Sequence, residues 1–243
     1  MATKQHARFA GVLYLIVAIF GGFAHLFVRA QVYVPGDAAT TAQNVVANAA
    51  LVRIGVVADL FQATVFLFLG MALYLLLKDV NANAARAMVI LVAIASTIIC
   101  LNMVFQFAAM LVANDGAYVA AFGAAGANAL VLLLLDIQHY GYLIAQIFFG
   151  LWLVPLGYLA YRSGLFPRAL GVLLVVGGVA YVVDMLALFL APAFGQAISP
   201  VVVIAPAVAE LWMVAYLLVK GVRAQTQDEL APGTVRGHAV TAA

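Results

Sequence analysis

The residues of this sequence that could do chemistry are nine polar or ionisable side chains that interrupt long apolar stretches. They are His25, Arg29, Asp59, Asn102, Gln106, Asp136, His139, Asp184 and Glu210. His25 and Arg29 are four residues apart, as are Asn102 and Gln106, and residues at this spacing lie on one face of a helix. Carboxylates and imidazoles within apolar helices are the groups that form proton relays and ion pathways.

The depth of the acidic residues within apolar sequence is the reason to expect convergence. At about 1.5 Å of helical rise per residue, Asp59 lies roughly 9 Å in from Arg53, and Glu210 lies roughly 15 Å from either end of its apolar stretch. A charged side chain at the centre of a bilayer costs at least ~2.5–3.5 kcal/mol, so such groups face the protein interior and find partners. We therefore predict that the nine residues meet in one polar cavity near the outer face of a membrane.

The composition indicates a membrane protein. Of 243 residues, 67% are hydrophobic and 8% are charged, whereas a soluble domain carries about 25% charged residues. The partner to expect is therefore the lipid bilayer. The net charge of +2 comes without a basic stripe, which argues against nucleic acid. Cys100 is the only cysteine, so an intrachain disulfide is excluded.

Six apolar stretches are long enough to cross a bilayer, which takes about 20 residues. They predict an all-α polytopic bundle of six transmembrane helices in one domain, 1–223, followed by a disordered polar tail, 224–243. Apolar sequence before the fourth stretch begins near Leu130, and a helix from there would be about 48 Å long. We therefore predict a break near Asp136, with 127–136 as an interfacial or re-entrant piece. The predicted spans are 9–28, 54–77, 87–111, 138–161, 169–191 and 200–219.

The basic residues predict the orientation of the bundle. Nine of the eleven Lys and Arg residues fall on one side of this topology, and only Arg29 and Arg53 fall on the other. By the positive-inside rule, both termini are then cytoplasmic. On the outer side, Asp37 is a plausible N-cap for a surface helix over 38–52, and Asn114-Asp115-Gly116 predicts a turn.

Several motifs resemble those of a bacterial membrane family described as domain of unknown function 4386. The resemblance covers about residues 8–223, and it implies a six-helix fold in a bacterial plasma membrane but no activity. The motifs are Val34-Pro35-Gly36-Asp37, His139-Tyr140-Gly141-Tyr142, Phe148-Phe149-Gly150-Leu151-Trp152, Pro155-Leu156-Gly157 and Tyr161-Arg162-Ser163-Gly164-Leu165-Phe166-Pro167-Arg168, the last followed by Leu170-Gly171.

Three classes of function fit the candidate residues. A binding or transport protein would hold a cation, a proton or a polar small molecule that enters from outside, although the cytoplasmic halves of the predicted spans contain no charged residue. An intramembrane enzyme would act on a lipid or periplasmic substrate. A structural or regulatory subunit would use the polar residues only to fix helix packing.

The enzyme class depends on a metal signal that is weak in the sequence. Imidazole and carboxylate side chains are zinc ligands, but neither a His-Glu-x-x-His nor a Gly-x-Ser-x-Gly motif is present. We rank binding or transport first and lean against an enzyme; the sequence identifies no cofactor, substrate or oligomeric state. The zinc-ligand candidates would be His25, His139, Asp59, Asp184 and Glu210.

Overall fold

The computed structural model describes residues 4–223, and every regular element in that range is helical. Six helices are long and apolar enough to cross a membrane, which confirms the predicted fold class. The predicted disordered tail, 224–243, lies outside the described residues. The six spans, numbered first to sixth below, are Lys4–Val32, Ala49–Leu77, Ala82–Asn114, Gly116–Arg162, Arg168–Leu190 and Pro192–Val219.

The spans are arranged in chain order. Each packs against the span before it and the span after it, and the sixth returns to pack against the first. The connections between the second and third spans and between the fourth and fifth spans are short, so each of these pairs forms a helical hairpin. The first span is therefore a neighbour of both the second and the sixth.

One end of the bundle gathers both ends of the described chain. The backbone N–H of Arg223 donates to the carbonyl of Leu165 at 3.1 Å, and the Tyr216 hydroxyl donates to the same carbonyl at 3.4 Å. The buried cluster at this end includes Leu165 and Val222, and Val80, in the turn between the second and third spans, packs against it. We call this the basic end, because it carries Lys4, Arg8, Lys78, Arg86, Arg162, Arg168, Lys220 and Arg223.

The half of the bundle next to the basic end has an apolar core. Trp152 and Phe166 are among its largest buried side chains, and leucines from the second, fourth, fifth and sixth spans surround them. Within lipid, apolar burial does not drive helices together, so tight packing must do so. Packing of these apolar side chains therefore holds the described helices together in this half.

Glycines bring the fourth and fifth spans into backbone contact. A Cβ added at Gly150 would lie 2.5 Å from the carbonyl oxygen of Gly178, and one added at Gly157 would lie 2.6 Å from that of Gly171. Any side chain at these positions would force the two helices apart. Close approach at small residues increases van der Waals packing, which is a main source of helix association in membranes.

The predicted break near Asp136 is wrong. The fourth span is helical through that position, and its one residue with non-helical backbone angles is Gly123, at φ 72° and ψ 162°. This region is accessible essentially only to glycine. Residues 124–162 would extend about 58 Å at 1.5 Å per residue, longer than the ~30 Å hydrocarbon layer. This helix therefore extends beyond the hydrocarbon layer, and Pro155 does not interrupt it.

The predicted helix over 38–52 is shorter than expected. Its N-cap is confirmed, since the Asp37 carboxylate accepts a hydrogen bond from the backbone N–H of Thr40 at 2.9 Å. The helix spans Ala38–Ala47 and ends at Asn48, and residues 49–52 already belong to the second span. Val45 packs with residues of the third and fourth spans in a second apolar cluster. This helix thereby covers the end of the bundle opposite the basic end.

Candidate functional site

A cavity of about 510 Å³ opens between the first, fourth, fifth and sixth spans, in the half of the bundle opposite the basic end. Four of the nine predicted residues line it, namely His25, Arg29, His139 and Asp184. Apolar side chains, including those of Leu143 and Leu188, complete its walls. We call it the polar cavity, because its lining includes His25, Arg29, Gln138, His139, Tyr142, Gln146, Asp184, Gln196 and Ser199.

An irregular turn of the first span carries His25. Residues Phe23–Val28 form a π-helix between two α-helical segments. A π-helical turn contains one more residue than an α-helical turn, and such turns are frequent at functional sites. The extra residue changes which side chains face the bundle, and it brings the imidazole of His25 against the ring of Tyr142, with 4.0 Å between ring centres.

His25 also meets a buried acid of the second span. Its Nε2 lies 3.1 Å from Oδ1 of Asp59, whose side chain is 2% exposed. The approach is too far from linear for a hydrogen bond, and neither atom has a hydrogen-bond partner within residues 4–223. His25 and Asp59 are therefore in close contact without a hydrogen bond between them.

Asp184 is the buried acid of the polar cavity. It is 2% exposed, and its Oδ2 accepts a hydrogen bond from Nε2 of Gln146 at 2.7 Å. The same amide donates to the carbonyl of Tyr181 at 3.2 Å, which fixes the orientation of the glutamine. The second carboxylate oxygen, Oδ1, has no hydrogen-bond partner in the described part of the chain. Asp184 thus lines the cavity and has a buried acceptor without a donor.

Two contacts hold Arg29 at the rim of the cavity, one polar and one aromatic. Its Nη1 donates to Oε1 of Gln138 at 3.1 Å, and its guanidinium lies 4.1 Å from the centre of the Tyr33 ring. The Tyr33 hydroxyl donates to the carboxylate of Asp136. Asp136 therefore supports the residue that stacks on Arg29 and is not part of the cavity lining.

Glu210 lies outside the polar cavity, although it is connected to it. Its carboxylate accepts a hydrogen bond from the Tyr14 hydroxyl at 3.0 Å, and the Tyr181 side chain lies nearby. Tyr181 also contacts Gln146, the partner of Asp184. Asp184 and Glu210 thus lie on adjacent spans, with Tyr181 close to both. The sequence predicts that they share one pocket, but only Asp184 lines the polar cavity.

Asn102 and Gln106 lie behind the cavity. Asn102 is buried, and its side-chain oxygen occupies the space where a Cβ at Gly141 would be. Gln106 lines a separate chamber of about 20 Å³ together with His25 and Arg29. A chamber of this size holds about one water molecule. These residues form a polar backing layer and do not face the main opening.

The fourth span presents to the cavity only part of the face that sequence spacing predicts. That spacing groups Asp136, His139, Tyr140 and Gln146, but Tyr140 is 52% exposed, and of the four only His139 and Gln146 line the cavity. Besides His139, the polar lining from this span consists of Gln138, Tyr142 and Gln146. These three residues are spaced by four, the spacing that identifies one helical face. This regular spacing is the signal that could have identified Gln138 and Tyr142 from the sequence.

Two further lining residues, Gln196 and Ser199, come from a helix that precedes the predicted sixth span. The sixth span contains helices Pro192–Val202 and Ile204–Val219, which meet at Val203. The prediction of 200–219 omits most of the first of these. Its residues are less uniformly apolar, so a search for continuous apolar sequence does not include them.

The arrangement of possible ligands does not favour a metal ion. Structural and catalytic zinc sites use three or four protein ligands. Within residues 4–223, no group of three His, Cys, Asp or Glu side chains is close enough to hold a metal. His25 with Asp59, and Asp184 with Gln146, are separate pairs.

Comparison with known proteins identifies a family. Searches found no match among curated proteins and none among solved structures. One family model, described as "Domain of unknown function (DUF4386)", matches residues 9–221, which include all six spans except the first few residues. The chain therefore belongs to the DUF4386 family.

Proposed function

We propose that this protein is a receptor or carrier for a small polar molecule with a cationic group, which binds in the polar cavity. The observation that carries the proposal is Asp184, which lines the cavity, is buried, and has one carboxylate oxygen without a hydrogen-bond partner among the described residues. A buried acceptor without a donor costs about 1–3 kcal/mol, and more when it is charged. An ammonium N–H from a ligand would remove this cost.

The size and lining of the cavity favour a molecule over a bare ion or a proton. Its volume of about 510 Å³ falls within the ~300–1,000 Å³ that is usual for small-molecule sites. Leu188 and Val203 offer apolar surface for the body of the molecule, while Gln196 and Ser199 offer hydrogen bonds. The guanidinium of Arg29 could in turn hold a carboxylate or phosphate group on the same ligand.

The topology proposed for this function places the protein in a bacterial plasma membrane with the basic end in the cytoplasm. The excess of Lys and Arg at that end supports this orientation. The ligand would then enter from outside. Because the basic half of the bundle is an apolar core, release to the cytoplasm would require the spans to rearrange around Trp152 and Glu210.

Two other classes of function have less support. An intramembrane zinc enzyme would need a cluster of ligands that residues 4–223 do not assemble. A structural subunit would pair its buried charges completely, whereas Asp184 keeps a free oxygen beside an open cavity.

The test is ligand-dependent thermal stability of the purified protein in detergent. The probes are methylammonium, ethanolamine and glycine, all of which carry ammonium N–H groups and which separate the simple amine from the zwitterion. A ligand at 100 times its Kd should stabilise the protein by about 2.7 kcal/mol. Asp184→Asn should abolish this stabilisation, and Asp79→Asn should not, because Asp79 is exposed in a turn at the basic end. Equal stabilisation of the wild type and Asp184→Asn would contradict the proposal.

A further inference from the structure

A groove with a different character lies on the outer surface of the bundle, between the fourth and fifth spans. Its volume is about 470 Å³, and its walls are aliphatic and aromatic. Tyr158, Val172 and Val176 are 41%, 52% and 49% exposed, so the groove faces away from the bundle interior. It is independent of the polar cavity, which opens in the other half of the molecule.

The groove exists because two glycines bring the helices together. Gly157 and Gly171 both line it, and their backbones are in direct contact. The larger side chains on either side, such as Tyr161, form its walls. The result is a channel on a surface that faces hydrocarbon in a membrane.

A positive charge closes the groove at the basic end. The guanidinium of Arg168 lies 5.7 Å from the centre of the Tyr161 ring, which is a wall of the groove. Arg162 is adjacent in the chain to Tyr161, and both arginines are exposed. An apolar channel with a cation at its mouth is complementary to an acyl chain that carries an anionic head group.

The other hairpin of the basic end repeats this arrangement. A groove of about 440 Å³ lies between the second and third spans, where Met71, Leu75 and Ile90 form apolar walls beside Tyr74. Arg86 itself lines this groove. The two hairpins thus share the same combination of an apolar channel, a tyrosine and an arginine.

We propose that these two grooves bind anionic phospholipids, with one acyl chain in each groove and the phosphates on Arg168 and Arg86. Arginine presents a planar fork of donors that matches phosphate oxygens, and tyrosine is favoured at the membrane–water boundary. The basic end carries eight described Lys and Arg residues but only one described acid, Asp79. This excess of positive charge favours anionic over zwitterionic lipid. Basic sites between helices at this boundary recognise anionic head groups.

Native mass spectrometry of the full chain tests the proposal. The protein is released from nanodiscs of phosphatidylcholine and phosphatidylglycerol in equal amounts. The wild type should retain two phosphatidylglycerol molecules, and Arg168→Gln and Arg86→Gln should each retain one. Arg8→Gln is the matched control, because Arg8 is exposed at the basic end but lines neither groove.

A second variant separates the groove from the charge. Val172→Trp fills the channel between the fourth and fifth spans without changing any charge, and the exposure of Val172 makes the larger side chain tolerable. It should lose one bound lipid, as Arg168→Gln does. Equal retention of the two lipids by the wild type, or loss in Arg8→Gln as large as in Arg168→Gln, would overturn the proposal.

Discussion

Replacing Gln146 with leucine tests whether Asp184 is held as a buried carboxylate. The variant removes the hydrogen bond of 2.7 Å to Asp184 while keeping most of the side-chain volume. Hydrogen bonds between neutral side chains in membrane bundles average about 0.6 kcal/mol. Bonds to charged groups are worth about 1.5–3 kcal/mol. Because Asp184 is 2% exposed and its other oxygen is unpartnered, we expect Gln146→Leu to lower the free energy of unfolding by the larger amount.

A double-mutant cycle isolates the interaction. Asp184→Leu alone removes the carboxylate but leaves Gln146 its bond to the Tyr181 carbonyl, so its effect should be smaller. The double variant should be more stable than the sum of the two changes implies, since it leaves no charge buried without a partner. Residues in contact show coupling of about 0.5–3 kcal/mol, and we expect a value in the upper half of that range.

The assay is equilibrium unfolding in mixed micelles, followed by the fluorescence of the two tryptophans, Trp152 and Trp212. Gln43→Leu is the control, because Gln43 is an exposed glutamine of the short helix and surface substitutions stay within about 0.5 kcal/mol. A loss near 0.6 kcal/mol for Gln146→Leu, with additive effects in the cycle, would refute the reasoning. Asp184 would then be a neutral acid, and the proposed attraction for a cationic ligand would lose its basis.

Three further predictions concern packing and capping. Gly141→Ala should lower the free energy of unfolding by about 1–3 kcal/mol, the usual range for overpacking, because its Cβ would collide with the Asn102 side chain. In thermal unfolding, the double variant Gly141→Ala with Asn102→Ala should regain part of the lost stability. Gly150→Ala should separate the fourth and fifth spans and lower the Tm. Gly22→Ala should leave the Tm unchanged, since nothing lies within 4 Å of an added Cβ there. An equal drop in Tm for the two variants would contradict the packing argument. The backbone N–H and the hydroxyl of Thr40 donate hydrogen bonds to the Asp37 carboxylate, and these bonds lower the pKa of Asp37. Its cap is therefore present above the unfolded pKa and is lost as pH falls through the lower folded pKa. The protection factors for hydrogen exchange in Ala38–Ala47, which are normalised to the intrinsic rate at each pH, should therefore fall on acidification. They should be low in Asp37→Ala at every pH.

Sequence patterns predict the features of this fold that long apolar runs determine. The six spans follow from hydrophobicity and length, and the hairpin at 162–168 follows from basic residues beside a short connection. The N-cap at Asp37 follows from its side-chain chemistry. In each of these cases the determining interaction is local or depends on the surrounding lipid.

The features that sequence patterns miss depend on contacts between distant residues. The π-helical turn around His25 has no compositional signal, and the residues that contact His25, Tyr142 and Asp59, are distant from it in the chain. The cost of burying a charge correctly indicates that Glu210 needs partners. It does not tell whether these partners lie in a polar cavity or are the side chains of two tyrosines. Tyr14, which supplies one of these hydroxyls, is 196 residues away in the chain.

The glycine crossing of the fourth and fifth spans has a mechanical consequence. With backbones in contact at Gly150 and Gly157, the two helices can neither slide nor tilt independently without steric overlap, so they should move as one rigid block. The opposite wall of the cavity is formed by the first and sixth spans, whose regular helices are interrupted at Phe23–Val28 and at Val203. Bending is easiest at such interruptions. We therefore expect the entrance to widen or narrow by flexing of these two helices against a fixed frame.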